Sequence, residues 1–223
     1  MATEIPGAEI GDRHPLALAL FALTFVSGVV DAVSYLGLGR VFTANMTGNV
    51  VIVGFALGGA PGFSVLDSLV SLGFFLLGSV ASGRVTRELR PKGRQFWFRR
   101  VLLAEAVLEG AAALVAATAP AVPHAVLIAV LAVALGLRNG TVRALGVPDL
   151  TTTVLTMTLT GFAADSPLAG AAGTRWSRRL GSALTMLAGA ALGAALTVHT
   201  ALGWPLLLAA LLVAATAVLY REP

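Results

Sequence analysis

The chain has 223 residues; 57% are hydrophobic and only 12% are charged, about half the charge of an ordinary soluble domain. With a mean hydropathy of +0.88, this composition excludes a soluble enzyme, a disordered chain and a nucleic-acid binder, because so few charges cannot cover a water-soluble particle. The absence of cysteine removes disulfides, thiolate metal sites and thiol nucleophiles, and the three widely spaced histidines offer no metal cluster, so no cofactor is expected.

Eight hydrophobic segments follow in chain order. The first, 16–36, is long enough to span a bilayer and carries Asp31 inside it. The second, 41–66, begins with the polar run FTANMTGN and is apolar only over 50–59. A third covers 64–83. The basic stretch RVTRELRPKGRQFWFRR, residues 84–100, separates it from a fourth at 101–119, which holds Glu105 and Glu109. A turn at Pro120 and Pro123 leads to a fifth segment from 124 to about 137–145. The sixth, TTTVLTMTLTGFAA at 151–164, is again short and polar-spotted. Residues 180–220 carry no formal charge and suffice for two helices broken near Gly203-Trp204-Pro205.

The distribution of Lys and Arg tests whether the second and sixth segments span. If they enter and leave on one face, every Lys and Arg except Arg40 lies on the same side of the membrane; if all eight segments span, the bias is weak. The expected architecture is therefore an all-α polytopic membrane protein with about six transmembrane helices and two re-entrant segments, at about 42–60 and 150–164. Both termini are expected in the cytoplasm. Trp97, Trp176 and Tyr220 would anchor the cytoplasmic boundary and Trp204 the outer one.

A duplication is also expected. Gly28-x-x-Asp31-Ala32 matches Gly136-x-x-Asn139-Gly140 at an offset of 108, and Leu77-Gly78 matches Leu192-Gly193 at 115, after the extra piece GTRWSRR. The repeats would be residues 1–119 and 120–223. With three spans each they must insert in opposite orientations, which is the inverted-repeat plan of many transporters. The two re-entrant segments would then approach one another near the midplane.

Polar groups at that depth are the candidates for function. Asp31 and Ser34, then Asn45, Thr47 and Asn49, then Asn139, Thr151, Thr153 and Thr156 could line a site for a small polar solute or ion. The competing reading is that they hydrogen-bond helices together, with Asp31 paired to Arg138 or Arg143. Glu105 and Glu109, four apart on one helix face, suit proton coupling; alternatively they pair with Arg99, Arg100 or Arg138 near the cytoplasmic end. Gly78 and Ser82, and Gly189 and Gly193, have the small-x-x-x-small spacing that permits close helix crossing and leaves self-association open, and Gly73 lies five residues before Gly78 as a further small residue.

The runs GVVDAVSYLGLGRVFTANMTGNVVIVGFAL (28–57) and GLRNGTVRALGVPDLTTTVLTMTLTG (136–161) resemble the two signatures of the YoaK-like bacterial membrane proteins, a domain of unknown function. The resemblance covers nearly the whole chain and implies a multi-pass protein of the bacterial inner membrane with about six helices; it brings no substrate. No nucleotide-binding, protease or hydrolase motif is present, so the expected function is a carrier or channel rather than an enzyme. The expected partners are the lipid bilayer and an unidentified small solute or ion. A non-transporting scaffold, or a lipid-modifying enzyme using Glu105 and Glu109, are the alternatives.

Overall fold

The structure is a computed structural model, and it describes residues 10–119, 121–153, 155–170 and 176–222. Pro120 of the first turn, Val154 of the second polar segment and Arg175 of the basic piece lie outside the described residues. Among the described residues all regular secondary structure is helical, with eight α-helices: α1 Pro15–Gly37, α2 Met46–Leu57, α3 Val65–Leu89, α4 Arg94–Thr118, α5 His124–Leu145, α6 Leu155–Ala164, α7 Trp176–His199 and α8 Gly203–Leu219. Five of them (α1, α3, α4, α5 and α7) are long and apolar enough to cross a membrane. The chain is a multi-pass membrane protein.

The basic stretch is not a loop. α3 continues through Leu89, a single 3-10 turn covers Arg90–Lys92, and α4 starts at Arg94. Hydropathy ends a segment where charges begin, but an exposed arginine is a good helix former, so the backbone runs on. Gly93, with φ of 105°, makes the reversal possible. Trp97 and Tyr220 are also not boundary anchors. Trp97 is buried against Val101 and Leu137, and Tyr220 meets the Phe98 ring edge-on at 5.1 Å. Trp176 and Trp204 are exposed.

Packing is dominated by two close pairs, α1 with α7 and α3 with α5, joined through α4 and α8. Glycines make the pairs close. A Cβ at Gly28 would come within 2.3 Å of the Met186 carbonyl oxygen, and one at Gly189 within 2.1 Å of the Phe25 carbonyl oxygen. On the other pair, a Cβ at Gly136 would meet the Phe75 carbonyl oxygen at 2.1 Å and one at Gly78 the Val133 carbonyl oxygen at 2.2 Å. Backbone therefore lies on backbone, the form of helix association that needs no hydrophobic driving force in lipid. Gly73, a further small residue of α3, faces open space instead.

These contacts also fix helix direction. Phe21, Phe25 and Val29 meet Gly181, Gly189 and Gly193 in rising order, so α1 and α7 are parallel. Phe75 lies at Gly136 and Ser82 at Gly140 and Thr141, so α3 and α5 are parallel too. In contrast, Gly203 packs at Ala113 and Ala117 while Gly110 packs at Ala210, so α4 and α8 are antiparallel. At one end of the bundle Arg178 binds Asp12 at 2.8 Å and Arg94 pairs with Glu222. Hydrogen bonds from Ser177 and Arg178 hold the Asp12 carboxyl below its ordinary range.

Candidate functional site

Each short helix is entered through a polar turn that folds back against the preceding long helix. α1 ends at Gly37, and Arg40 takes a left-handed φ of 60° to reverse the chain. The backbone N–H groups of Thr43 and Ala44 then donate to Asp31 Oδ1 at 3.1 and 2.8 Å. Asn45 caps α2 by accepting from Gly48 N at 3.4 Å. Asn49 closes the turn: its Oδ1 accepts from Phe42 N at 2.8 Å, and its Nδ2 donates to Phe42 O at 2.6 Å and to Ser71 Oγ at 3.1 Å. Ser34 Oγ donates to the Asp31 carbonyl at 3.2 Å. Asp31 is 6% exposed and Asn49 fully buried.

The second short helix is entered through a turn with different chemistry. Asp149 and Thr152 are left-handed, with φ of 63° each, and Thr153 Oγ1 donates to Asn139 Oδ1 at 2.7 Å. Arg179, at the start of α7, grips the turn through Asp149 at 3.1 Å, Asp165 at 2.6 Å and the Gly161 carbonyl oxygen. The first turn is thus held by the carboxylate of Asp31, and the second by the neutral amide of Asn139 and, from outside, by an arginine.

The two polar segments do not meet. α2 packs on α3 and α6 on α7, and the two short helices share no contact. The expected joint cavity near the midplane is therefore corrected to two separate turns. Thr47, Thr151 and Thr156 lie on the exposed side of their segments. Periodicity cannot reveal this, because the facing partners, Ser71 and Arg179, are remote in sequence. Asp31 is not the partner of Arg138 or Arg143 either; backbone donors satisfy it.

Arg138 instead serves a third site, where α1, α4 and α5 meet. Its Nη1 lies 3.1 Å from Glu105 Oε1 and donates to the Leu23 carbonyl at 3.1 Å; Nη2 donates to Ser27 Oγ at 3.0 Å. Arg138, Glu105 and Glu109 are each 0% exposed. Because α4 starts at Arg94, both glutamates sit about three turns or more inside it, near its centre rather than at its end. Arg99 and Arg100 are exposed and take no part. The serine contributed by α1 had no signal in the sequence beyond its polarity.

Residues 19–219 match the family described as protein of unknown function (DUF1275). The chain belongs to this family. It is 34% identical over 152 residues to the UPF0700 transmembrane protein YoaK of Bacillus subtilis (strain 168), a match covering 66% of this chain and 65% of YoaK, so somewhat under two thirds of that relative's length. No solved structure matches. The match covers all eight helices in part or whole, so the two turns and the buried Glu105–Arg138 pair fall within the DUF1275 region.

Proposed function

We propose that this DUF1275 protein is a carrier or channel of the bacterial inner membrane for a small polar solute or ion, working without nucleotide hydrolysis and without enzymatic chemistry. The observation that carries this reading is the wholly buried Glu105–Arg138 pair with Glu109 beside it, at the meeting point of three helices. Ionised groups inside a bilayer are costly and are retained where they bind or move something.

The architecture supports it. In this reading α1, α3, α4, α5, α7 and α8 cross the bilayer, while α2 and α6, about 18 and 15 Å long, re-enter and leave on the face they came from. Contacts at both ends of the first segment favour re-entry: Thr43 and Ala44 lie at the depth of Asp31, whereas Gly62 and Phe63 return to Arg40 beside the end of α1. The parallel α1–α7 and α3–α5 pairs are what an inverted duplication of 1–119 and 120–223 requires, since each couples the first helix of one half to the third segment of the other. With that topology the Lys and Arg at helix ends other than Arg40 gather at one end of the bundle, which favours cytoplasmic termini.

Two measurements test this. The lack of native cysteine makes Ala60→Cys and Ala164→Cys clean reporters. In oriented vesicles an impermeant thiol reagent is expected to reach them from opposite sides; labelling from the same side would replace the re-entrant topology with eight full spans. Purified protein in liposomes, screened with small polar solutes and monovalent ions, is expected to pass at least one class faster than protein-free vesicles do. Flux at the protein-free rate throughout the panel would favour the scaffold reading, in which the hydrogen bonds of Asp31, Asn49 and Asn139 simply lock helices.

A further inference from the structure

We propose that Glu105 and Glu109 form a proton-binding site in which Arg138 keeps Glu105 ionised and the exchangeable proton rides on Glu109. This rests on the carrier reading above and names its coupling ion.

The argument starts from charge count. Two carboxyls and one guanidinium share a place from which water is excluded on all sides of the side chains, since all three are 0% exposed. The guanidinium is committed to Glu105, to the Leu23 carbonyl and to Ser27. Neither glutamate accepts a hydrogen bond among the described residues; what separates them is that Glu105 has the ion pair with Arg138, while Glu109, one turn further along α4, has no ion pair. Among the described residues no other cation faces it. α8 carries no charged residue; α1 carries only Asp31, which is taken by backbone N–H groups. The remaining charged or titratable residues of α5, His124 and Arg143, stand at its two ends; Arg99 and Arg100 of α4, and Arg84, Arg87 and Glu88 of α3, are exposed, and Asp67 begins α3 near Gly39 at the far end.

A second unbalanced carboxylate in this position would carry a large desolvation penalty. Something positive must join it. A metal cation needs around six oxygen ligands, whereas the helical carbonyls here are already bonded and a guanidinium lies alongside. Among the described residues no group of three or more acidic or histidine side chains gathers to hold a metal. A proton needs only one oxygen and occupies no volume. The cycle is then the breaking and re-forming of one O–H bond on Glu109, the proton passing to or from water admitted on the open side of the carrier. Glu105 and Arg138 stay ionised throughout and keep the net charge of the site at zero or minus one.

Infrared difference spectroscopy of the full-length protein in lipid, stepped between acid and alkaline pH, reads this directly. A carboxylic-acid C=O band that titrates is expected in the wild type. It should vanish in Glu109→Gln, shift in frequency in Glu109→Asp, and persist in Asp31→Asn and in the double variant Glu105→Gln with Arg138→Gln. A band of wild-type amplitude in Glu109→Gln, no such band at any pH in the wild type, or a band displaced by sodium alone would each overturn the proposal. The readout is independent of transport: a Glu109 band without flux of any solute defeats the carrier reading alone, while flux in Glu109→Gln that still responds to an imposed proton gradient defeats the proton site alone.

Discussion

Replacing Arg138 with leucine is expected to destabilise the folded protein by about 3–5 kcal/mol, measured as a fall in the midpoint of denaturant unfolding in mild detergent. The loss comes less from the pair itself than from what is left behind. Glu105 would keep its burial and lose its counter-ion, and Ser27 and the Leu23 carbonyl would lose their donor. Removing both charges together, in Arg138→Leu with Glu105→Gln, should recover much of the stability, because paired removal leaves no orphaned charge. A single Arg138→Leu variant within about 1 kcal/mol of wild type would mean that the pair is hydrated and the burial described above is wrong.

Adding one methyl group at Gly136 or Gly28 should be nearly as damaging. Ordinary overpacking costs about 1–3 kcal/mol, and these sites belong at the upper end because the methyl would strike backbone at 2.1 and 2.3 Å rather than a side chain that can swing away. The helices of a pair would have to separate along their length. Gly73→Ala and Gly83→Ala are the matched controls: both face open space, so the better helix propensity of alanine should leave stability unchanged or raise it by about 0.5–1 kcal/mol. Equal melting temperatures for Gly136→Ala and Gly73→Ala would show that close approach of α3 and α5 is not what holds the bundle.

The contrast between these glycines shows where sequence reading succeeds and where it stops. Helix positions were legible, because long apolar runs interrupted by Gly, Pro and charge have few other physical solutions in lipid. α1 lies within one residue at each end of its expected segment. The start of α4 was not, since an arginine at the water boundary looks the same whether its backbone is loop or helix. Gly73 and Gly78 both stand in the sequence as small residues in an apolar helix, and the position of α5 is what distinguishes them. Among candidate site residues, Asp31 was legible as unusual and Asn139 as its counterpart; their real partners, the N–H groups of residues 43 and 44 and the Thr153 hydroxyl, are local enough to have been guessed. The Glu105–Arg138 pair joins two helices, and Arg138 stood in the sequence as one of three candidates for the glutamates. What selected it was the depth of each residue along its own helix.

The exchange of helix partners between the halves has a consequence for biogenesis. α1 is the most enclosed of the long helices, yet its chief neighbour is α7, and α3 likewise waits for α5. A ribosome therefore delivers α1 to the insertion machinery long before the surface that will cover it exists. Its glycine-notched side at Gly28 must be tolerated by lipid or shielded by a chaperone until translation is almost over, and neither half has the contacts to become a stable unit by itself.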